Sequence, residues 1–437
     1  MPTDRPLRTE RFYYASDSGY NVEVNQQRLR DDILANASFG DLETDEGHGR
    51  TLLTGTAADQ AARERLVQRL QDAGLTVRVD PVGNIAGRWV PKDADPAAPP
   101  VVMGSHLDSV PQGGIFDGPL GVYGALEAVR TIRSADISPA CPLEVVSFTE
   151  EEGGRFGIGT LGSSVATEKL SVADALALED DNGYTLKERL SAIGFHGEDK
   201  ITPSSWDGWL ELHIEQGTRL ERENLSVGVV DSITGITNCS VEIHGESDHA
   251  GSTSMSERSD ALVAAAEFVQ DVESVATEIA ADNPAAVATV GQHDVEPNIR
   301  NVVPGSVTMQ LDIRGVSEGT MDRLVERIHE RLKQIEQHHP VTASLTRFRN
   351  DTPSHMSDQY VTTAIEAAET RGIATKQLHS AAMHDSANIS TETDAGLLFA
   401  PSEDGISHNP REWTDWEDCA TATHILAVSA AWLASES

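Results

Sequence analysis

Lysine is almost missing from this chain of 437 residues: six of its 33 basic residues are lysine, the rest are arginine, and 70 acids stand against them. The net charge of −37 is spread along the sequence with no acidic tail. Such a field repels nucleic acid and anionic membrane surfaces, so neither is expected as a partner. It also repels itself in dilute buffer, which points to a halophilic source and says nothing of chemistry. Cysteine is scarce too. Cys141, Cys239 and Cys419 lie far apart, which excludes a disulfide framework and a paired thiolate metal motif and leaves small buried hydrophobes as the expectation. No run of about 18 apolar residues exists, so no membrane span is expected. The opening MPTDRPLRTERFYY lacks the apolar core of a secretory signal, and a cytoplasmic location is the expectation.

What is present is enough apolar residue, 39%, for a sizeable core, in a chain long enough for two domains. Residues 60–74 carry helical periodicity that stops at Gly74. Strand patterns follow at 75–80 and near 84–90. After a Pro/Ala-rich linker at 91–100, VVMGSHLDSV is an apolar strand running into polar residues. Residues 121–135 read as a helix, and LEVVSFTEEEG (143–153) as a buried strand ending in acids. Strand, helix and strand in that order predict an α/β domain with a mostly parallel mixed sheet flanked by helices. In such sheets the site sits beyond the carboxyl ends of the strands. From about 232 the pattern changes to strands at 240–245, 286–291, 306–314 and 341–348, with helices at 259–280 and 321–337. This predicts an inserted α+β domain over 232–349, between a first catalytic part at 1–231 and a second at 350–437.

Four segments carry metal-ligating side chains. GSHLDSVPQGGIFDG (104–118) places His106, Asp108 and Asp117 near a strand end; imidazole with carboxylate suits Zn²⁺ or Mn²⁺. FTEEEGGRF (148–156) gathers three glutamates, which repel one another unless a cation compensates. LELHIEQG (210–217) holds His213 on a strand, and PSEDGISHNP (401–410) holds His408 in a loop. Each segment alone has an ordinary reading: a loop histidine, a solvated acidic turn, a satisfied core histidine. Together they offer three imidazoles and two carboxylates at strand ends or loops, a donor set for two metal ions sharing one carboxylate.

These motifs resemble those of the hydantoinase/carbamoylase-type amidases, within the zinc aminoacylase and carboxypeptidase superfamily. That group includes N-carbamoyl-L-amino acid hydrolases, β-ureidopropionases and allantoate amidohydrolases. The likeness runs in order from about residue 40 to 415. It implies two divalent metal ions per subunit, Zn²⁺ or Mn²⁺, one on His106 and His213, the other on Glu152 and His408, bridged by Asp117. Asp108 would orient His106. The following Gly153-Gly154-Arg155-Phe156 sets the register of the glutamate run, making Glu151 the catalytic base and Glu152 the ligand, with Glu150 outside. The inserted domain corresponds to a lid and dimerisation domain. Its His249, Asn301 and Arg314 would reach substrate in the cleft of a second subunit, His249 steadying the oxyanion. Gln216 and His384 match further substrate positions. The implied reaction is hydrolysis of the carbamoyl C–N bond of an N-carbamoyl-L-amino acid by a homodimer. Allantoate or another ureide is the alternative substrate; a peptidase or aminoacylase, or a binding protein with a relict metal site, fits less well. Two departures bear on substrate choice: GSTSM (251–255) lacks a proline, and Ala382-Met383 replaces a glycine-rich approach to His384.

Overall fold

Strands of two burial patterns run through the chain. Val101–His106, Leu143–Phe148 and Gly208–Ile214 are buried at every residue, as strands covered on both faces must be. Gly235–His244 and Ser306–Gly315 alternate between buried and exposed along most of their length, as strands covered on one face do. The structure, a computed structural model, describes residues 22–135 and 137–436. The opening segment read for a secretory signal lies outside the described residues. Two compact units divide the chain.

The first unit takes the described residues up to Asp231, then Met356–Leu378 and the chain from His384. Its sheet contains β1 (Thr76–Val79), β2 (Ile85–Trp89), β3 (Val101–His106), β4 (Leu143–Phe148), β5 (Gly208–Ile214) and β6 (Val227–Ile233). The inserted unit, Ser232–His355 with His379–Met383, holds β7 (Gly235–His244), β8 (Val287–Glu296), β9 (Ser306–Gly315) and β10 (Thr342–Asp351). With a further strand of the first unit, β11 (Asp394–Ala400), seven of the nine strands of the large sheet run in the order β6–β11–β5–β3–β4–β2–β1; the short strands Ser354–His355 and Thr375–Ser380 pair with β6. The four strands β11, β5, β3 and β4 are mutually parallel, and antiparallel pairs flank them. The carboxyl ends of β3, β4 and β5 therefore open on one side, carrying His106, the glutamate run and His213.

Helices Gln26–Ala37 (α1), Ala57–Asp72 (α2) and Pro119–Ser134 (α3) belong to this unit. The second starts three residues before the sequence pattern indicates, because the Thr56 side chain accepts the Asp59 amide and caps it. The third begins on Pro119 after Gly118, whose φ of 81° and whose place against His106 (an added Cβ would lie 2.5 Å from the ring) require glycine.

In the inserted unit the sheet order is β8–β9–β7–β10, all antiparallel. Helices Ala261–Ala280 (α4) and Glu318–His338 (α5) cover one face, with Phe268, Val272, Leu324 and Ile328 against Val241, Met309 and Leu311. The alternation of the last strand fades at residue 348 in the sequence, yet β10 continues to Asp351 and the unit to His355. The cause is a bulge between Arg347 and Arg349 that leaves Phe348 unpaired and 57% exposed. All three cysteines are buried, and none forms a disulfide. Among the described residues no helix is long and apolar enough to cross a membrane.

Candidate metal centre

The strand ends bring five of the predicted side chains of the first unit into two overlapping clusters. His106, Asp117 and His213 form one; Asp117, Glu152 and His408 form the other; in each, the donor atoms lie within 4.8 Å of one another. Nε2 of His106 and of His213 stand 3.4 and 3.2 Å from Asp117 Oδ1. His408 Nε2 is 3.1 Å from Glu152 Oε2 and 3.7 Å from Asp117 Oδ2. Asp117 thus offers one oxygen to each cluster.

The tautomers matter here. His106 Nδ1 lies 3.1 Å from the Asp108 carbonyl and His213 Nδ1 lies 3.1 Å from the Ile214 carbonyl. An Nδ1–H is the only group that satisfies a carbonyl, so each neutral ring carries its lone pair at Nε2. Those lone pairs face a carboxylate oxygen, two acceptors with nothing to share. Extra protons or a cation must sit between them. In the metal-free protein the protons come from pKa shifts. Burial works against charging His106, but Glu151 and Asp117 outweigh it and hold the imidazolium well above its usual range. Burial likewise opposes ionisation of Asp117, and the His213 and His106 rings still hold it well below the carboxylate range. The Glu152 contact lifts His408 to about 9. His106 Nε2 and Glu152 Oε1 are buried with no hydrogen-bond partner among the described residues. Leaving such atoms unsatisfied costs about 1–3 kcal/mol each. A donor set of imidazole and carboxylate with orphaned atoms fits a divalent cation, whose binding would displace those protons.

Glu151 places Oε2 3.7 Å from His106 Nε2. Burial raises its pKa well above the usual carboxylate value, against the pull of His106. Glu150 is turned away: its carboxylate accepts the Arg155 and Phe156 amides at 2.6 and 2.7 Å, and burial pushes it up to about 7. Glu150 and His408 both adopt left-handed backbone, with φ of 56° and 55°. For residues with a Cβ this costs roughly 1–2 kcal/mol each, and it occurs at one member of the second cluster, His408, and two residues before another, Glu152. Asp108 does more than face His106. Its carboxylate lies 3.7 Å from His106 Nδ1 and accepts the Glu151 and Glu152 amides at 3.2 and 3.1 Å, tying the glutamate run to the His106 strand.

Gln216 donates to Asp117 Oδ2 at 3.0 Å and to Ser407 Oγ at 3.2 Å. His384 is buried with its ring 4.6 Å from that of His213, and burial and His213 keep it neutral by holding its pKa well below the usual value. The other three predicted residues lie in the inserted unit. His249 is exposed and its Nδ1 accepts the Gly251 and Ser252 amides at 3.0 and 3.1 Å. Asn301 is exposed, its carbonyl accepting the Ala250 amide at 3.0 Å. Arg314 forks onto its strand neighbour Asp312 at 2.8 Å and donates to the Ala381 carbonyl at 3.0 Å. Three residues around Asp117 escaped the sequence reading: Arg50, Ser407 and Glu412. Ser407, beside His408, donates to Asp117 Oδ2 at 2.7 Å. Only its place next to a candidate ligand signals it.

Residues 102–431 match the model of peptidase family M20/M25/M40. The chain belongs to that family. Within the M20 peptidases it falls among the hydantoinase/carbamoylase amidases, hydrolases of linear amides other than peptides. It is 39% identical over 385 residues to an N-carbamoyl-L-amino-acid amidohydrolase of Paenarthrobacter aurescens, covering 87% of this chain and 92% of that one. A ureidoglycolate hydrolase of Arabidopsis thaliana is 33% identical, over 94% of this chain and 87% of its own. A crystal structure of a hydantoinase/carbamoylase family amidase from Burkholderia multivorans superposes with a TM-score of 0.88 at 33% identity, covering 95% and 99% of the two chains. M20 hydrolases are metal-dependent, in keeping with the donor clusters.

Proposed function

We propose that this M20 amidase hydrolyses the carbamoyl C–N bond of N-carbamoyl-L-amino acids and holds two divalent cations, Zn²⁺ or Mn²⁺, one on His106 and His213, one on Glu152 and His408, with Asp117 between. The observation that carries the reading is the position of Asp117, one oxygen toward each cluster, with Glu151 at the side of the first. When bound, such cations acidify water and polarise a carbonyl. Glu151 is the residue to take the proton of the attacking water at its carboxylate and to deliver it to the departing nitrogen; burial favours its proton-carrying form between the two transfers. Water adds to the ureido carbonyl, the bond to the amino-acid nitrogen breaks, and the free amino acid leaves with carbamate, which decays to CO₂ and ammonia.

The tautomer of His249 supports its role toward the oxyanion. Two backbone amides donate to Nδ1, so the neutral ring bears its proton on Nε2 and presents an N–H donor. Arg314, Asn301 and Gln216 would hold the substrate carboxylate, Arg314 exchanging its Asp312 contact for a two-pronged one. The relative from Paenarthrobacter supports the N-carbamoyl-L-amino acid class; the one from Arabidopsis keeps another ureide as the second reading. Homodimerisation through the inserted unit is part of the proposal.

Ammonia release against N-carbamoyl-L-amino acids, their D forms, N-carbamoyl-β-alanine, allantoate and ureidoglycolate, in molar salt with added Zn²⁺ or Mn²⁺, tests the reading. Fastest turnover is expected on an N-carbamoyl-L-amino acid. Turnover confined to ureidoglycolate or allantoate would replace it with the second reading.

A further inference from the structure

Asp117 ends a stretch, Gly113–Asp117, that belongs to no strand or helix and begins with two glycines. Something outside the stretch must fix it. Two charged side chains remote in sequence do so. From one side the Arg50 amide donates to the Gly113 carbonyl at 3.0 Å, its Nε to the Gly114 carbonyl at 2.9 Å, and its Nη2 to the Asp117 carbonyl at 3.4 Å. From the other, Glu412 Oε1 accepts the Phe116 and Asp117 amides at 2.8 and 3.0 Å. A Cβ at residue 114 would come within 2.3 Å of the Glu412 carboxyl group, so the loop lies flat on it only as glycine. Arg50 and Glu412 are 0% and 1% exposed.

Burying such charges costs several kcal/mol each, and apolar residues of similar size usually stabilise a fold better. Arg50 even keeps Nη1 without a hydrogen bond among the described residues. What the arginine does have is charge of the right sign. Asp117, Asp108, Glu152 and Glu412 all act on it. A cation bonded to the Asp117 backbone lessens the repulsion among these carboxylates. Glu412 also ties the two clusters: it closes the turn that directly follows His408, its own amide donating to the Asn409 carbonyl at 3.0 Å, while its carboxylate grips the Asp117 backbone.

We propose that Arg50 and Glu412 are positioning residues that hold Asp117 midway between the two donor clusters, so that the chain's affinity for divalent cations depends on them. This rests on the reading of Asp117 as a shared ligand. The test is zinc binding by chelator-stripped protein, measured by competition with a chromophoric chelator, with thermal stability recorded beside it. Glu412→Ala is expected to weaken zinc binding by about 10- to 100-fold, the usual effect of removing a partner that orients a ligand. Glu412→Gln keeps an acceptor oxygen for the two amides and should recover most of that loss. Arg50→Lys keeps the charge but cannot fork to two carbonyls, and should fall between Arg50→Met and wild type. Where Glu412→Ala or Arg50→Met does not fold, Glu412→Gln and Arg50→Lys carry the comparison against Ser407→Ala, which removes a direct bond to Asp117 and should weaken zinc binding more than Glu412→Gln does. Lowered melting temperature with unchanged zinc affinity in these variants would overturn the proposal, because it would make the two residues merely structural. A wild-type chain that takes up no zinc would instead refute the metal reading beneath it.

Discussion

The two units treat their polar side chains in opposite ways. In the first, His106, His213 and Asp117 are 1%, 2% and 4% exposed and point at one another. In the inserted unit His249 and Asn301 stand in solvent and Arg314 leans on Asp312 at the surface. Buried, unpaired charge is costly, so its survival in the first unit requires compensation by protons or a cation. Exposed polar groups cost nothing to keep and are free to meet a ligand. On the proposed reading this contrast is a division of labour: the cations and the proton transfers of Glu151 belong to the buried cluster, and the exposed set is what meets the substrate.

The largest effect should come from the buried side. Glu151→Gln is expected to lower turnover by about 10²–10⁴-fold while metal content stays as in wild type. Near-normal turnover would move the base elsewhere. Asp117→Ala should strip cations from both clusters, since one oxygen faces each; elemental analysis still finding two per chain would end its role as the bridge. On the exposed side, Arg314→Lys should weaken carboxylate-bearing substrates about tenfold with turnover nearly intact, as one charge-assisted hydrogen bond is worth about 1.5–3 kcal/mol. An unchanged KM would place Arg314 outside the substrate site.

The contrast sharpens further in a mixed dimer. His249→Ala and Glu151→Gln chains should each be inactive alone. If each inserted unit serves the other subunit, the purified heterodimer has one cleft with both groups intact and recovers about half of wild-type activity, provided an oxyanion donor acts only in its own cleft. No recovery would mean that His249 serves its own chain or none. The smallest effect is on stability. With a net charge of −37, melting temperature should rise from dilute buffer to molar KCl, as the screening length falls from about 30 Å at 0.01 M to about 3 Å at 1 M. Equal melting temperatures would refute the halophilic reading.

Much of this was legible before folding. The apolar strand read from residue 101 and the buried strand read at 143–153 are covered on both faces, and the strand read at 240–245 lies within Gly235–His244, covered on one. Other elements were not legible. Trp416–Glu436 is an alanine-rich helix buried nearly all round, so it has no polar face to mark its period. Asp394–Ala400 is a short apolar run that fits a buried strand or part of a helix equally well.

By itself the sequence determined the strand–helix order around the site and the segments that carry the candidate ligands, because each is written within a dozen neighbouring residues. Only the tertiary structure decided that Asp117 turns one oxygen to each cluster, that two carbonyls leave the His106 and His213 lone pairs at Nε2, and that Arg50 and Glu412 grip the loop between. Glu412 reaches the Phe116 amide across 296 positions of chain. Periodicity and motif spacing report on near neighbours, and a contact between distant segments exists only once the sheet has brought their ends together.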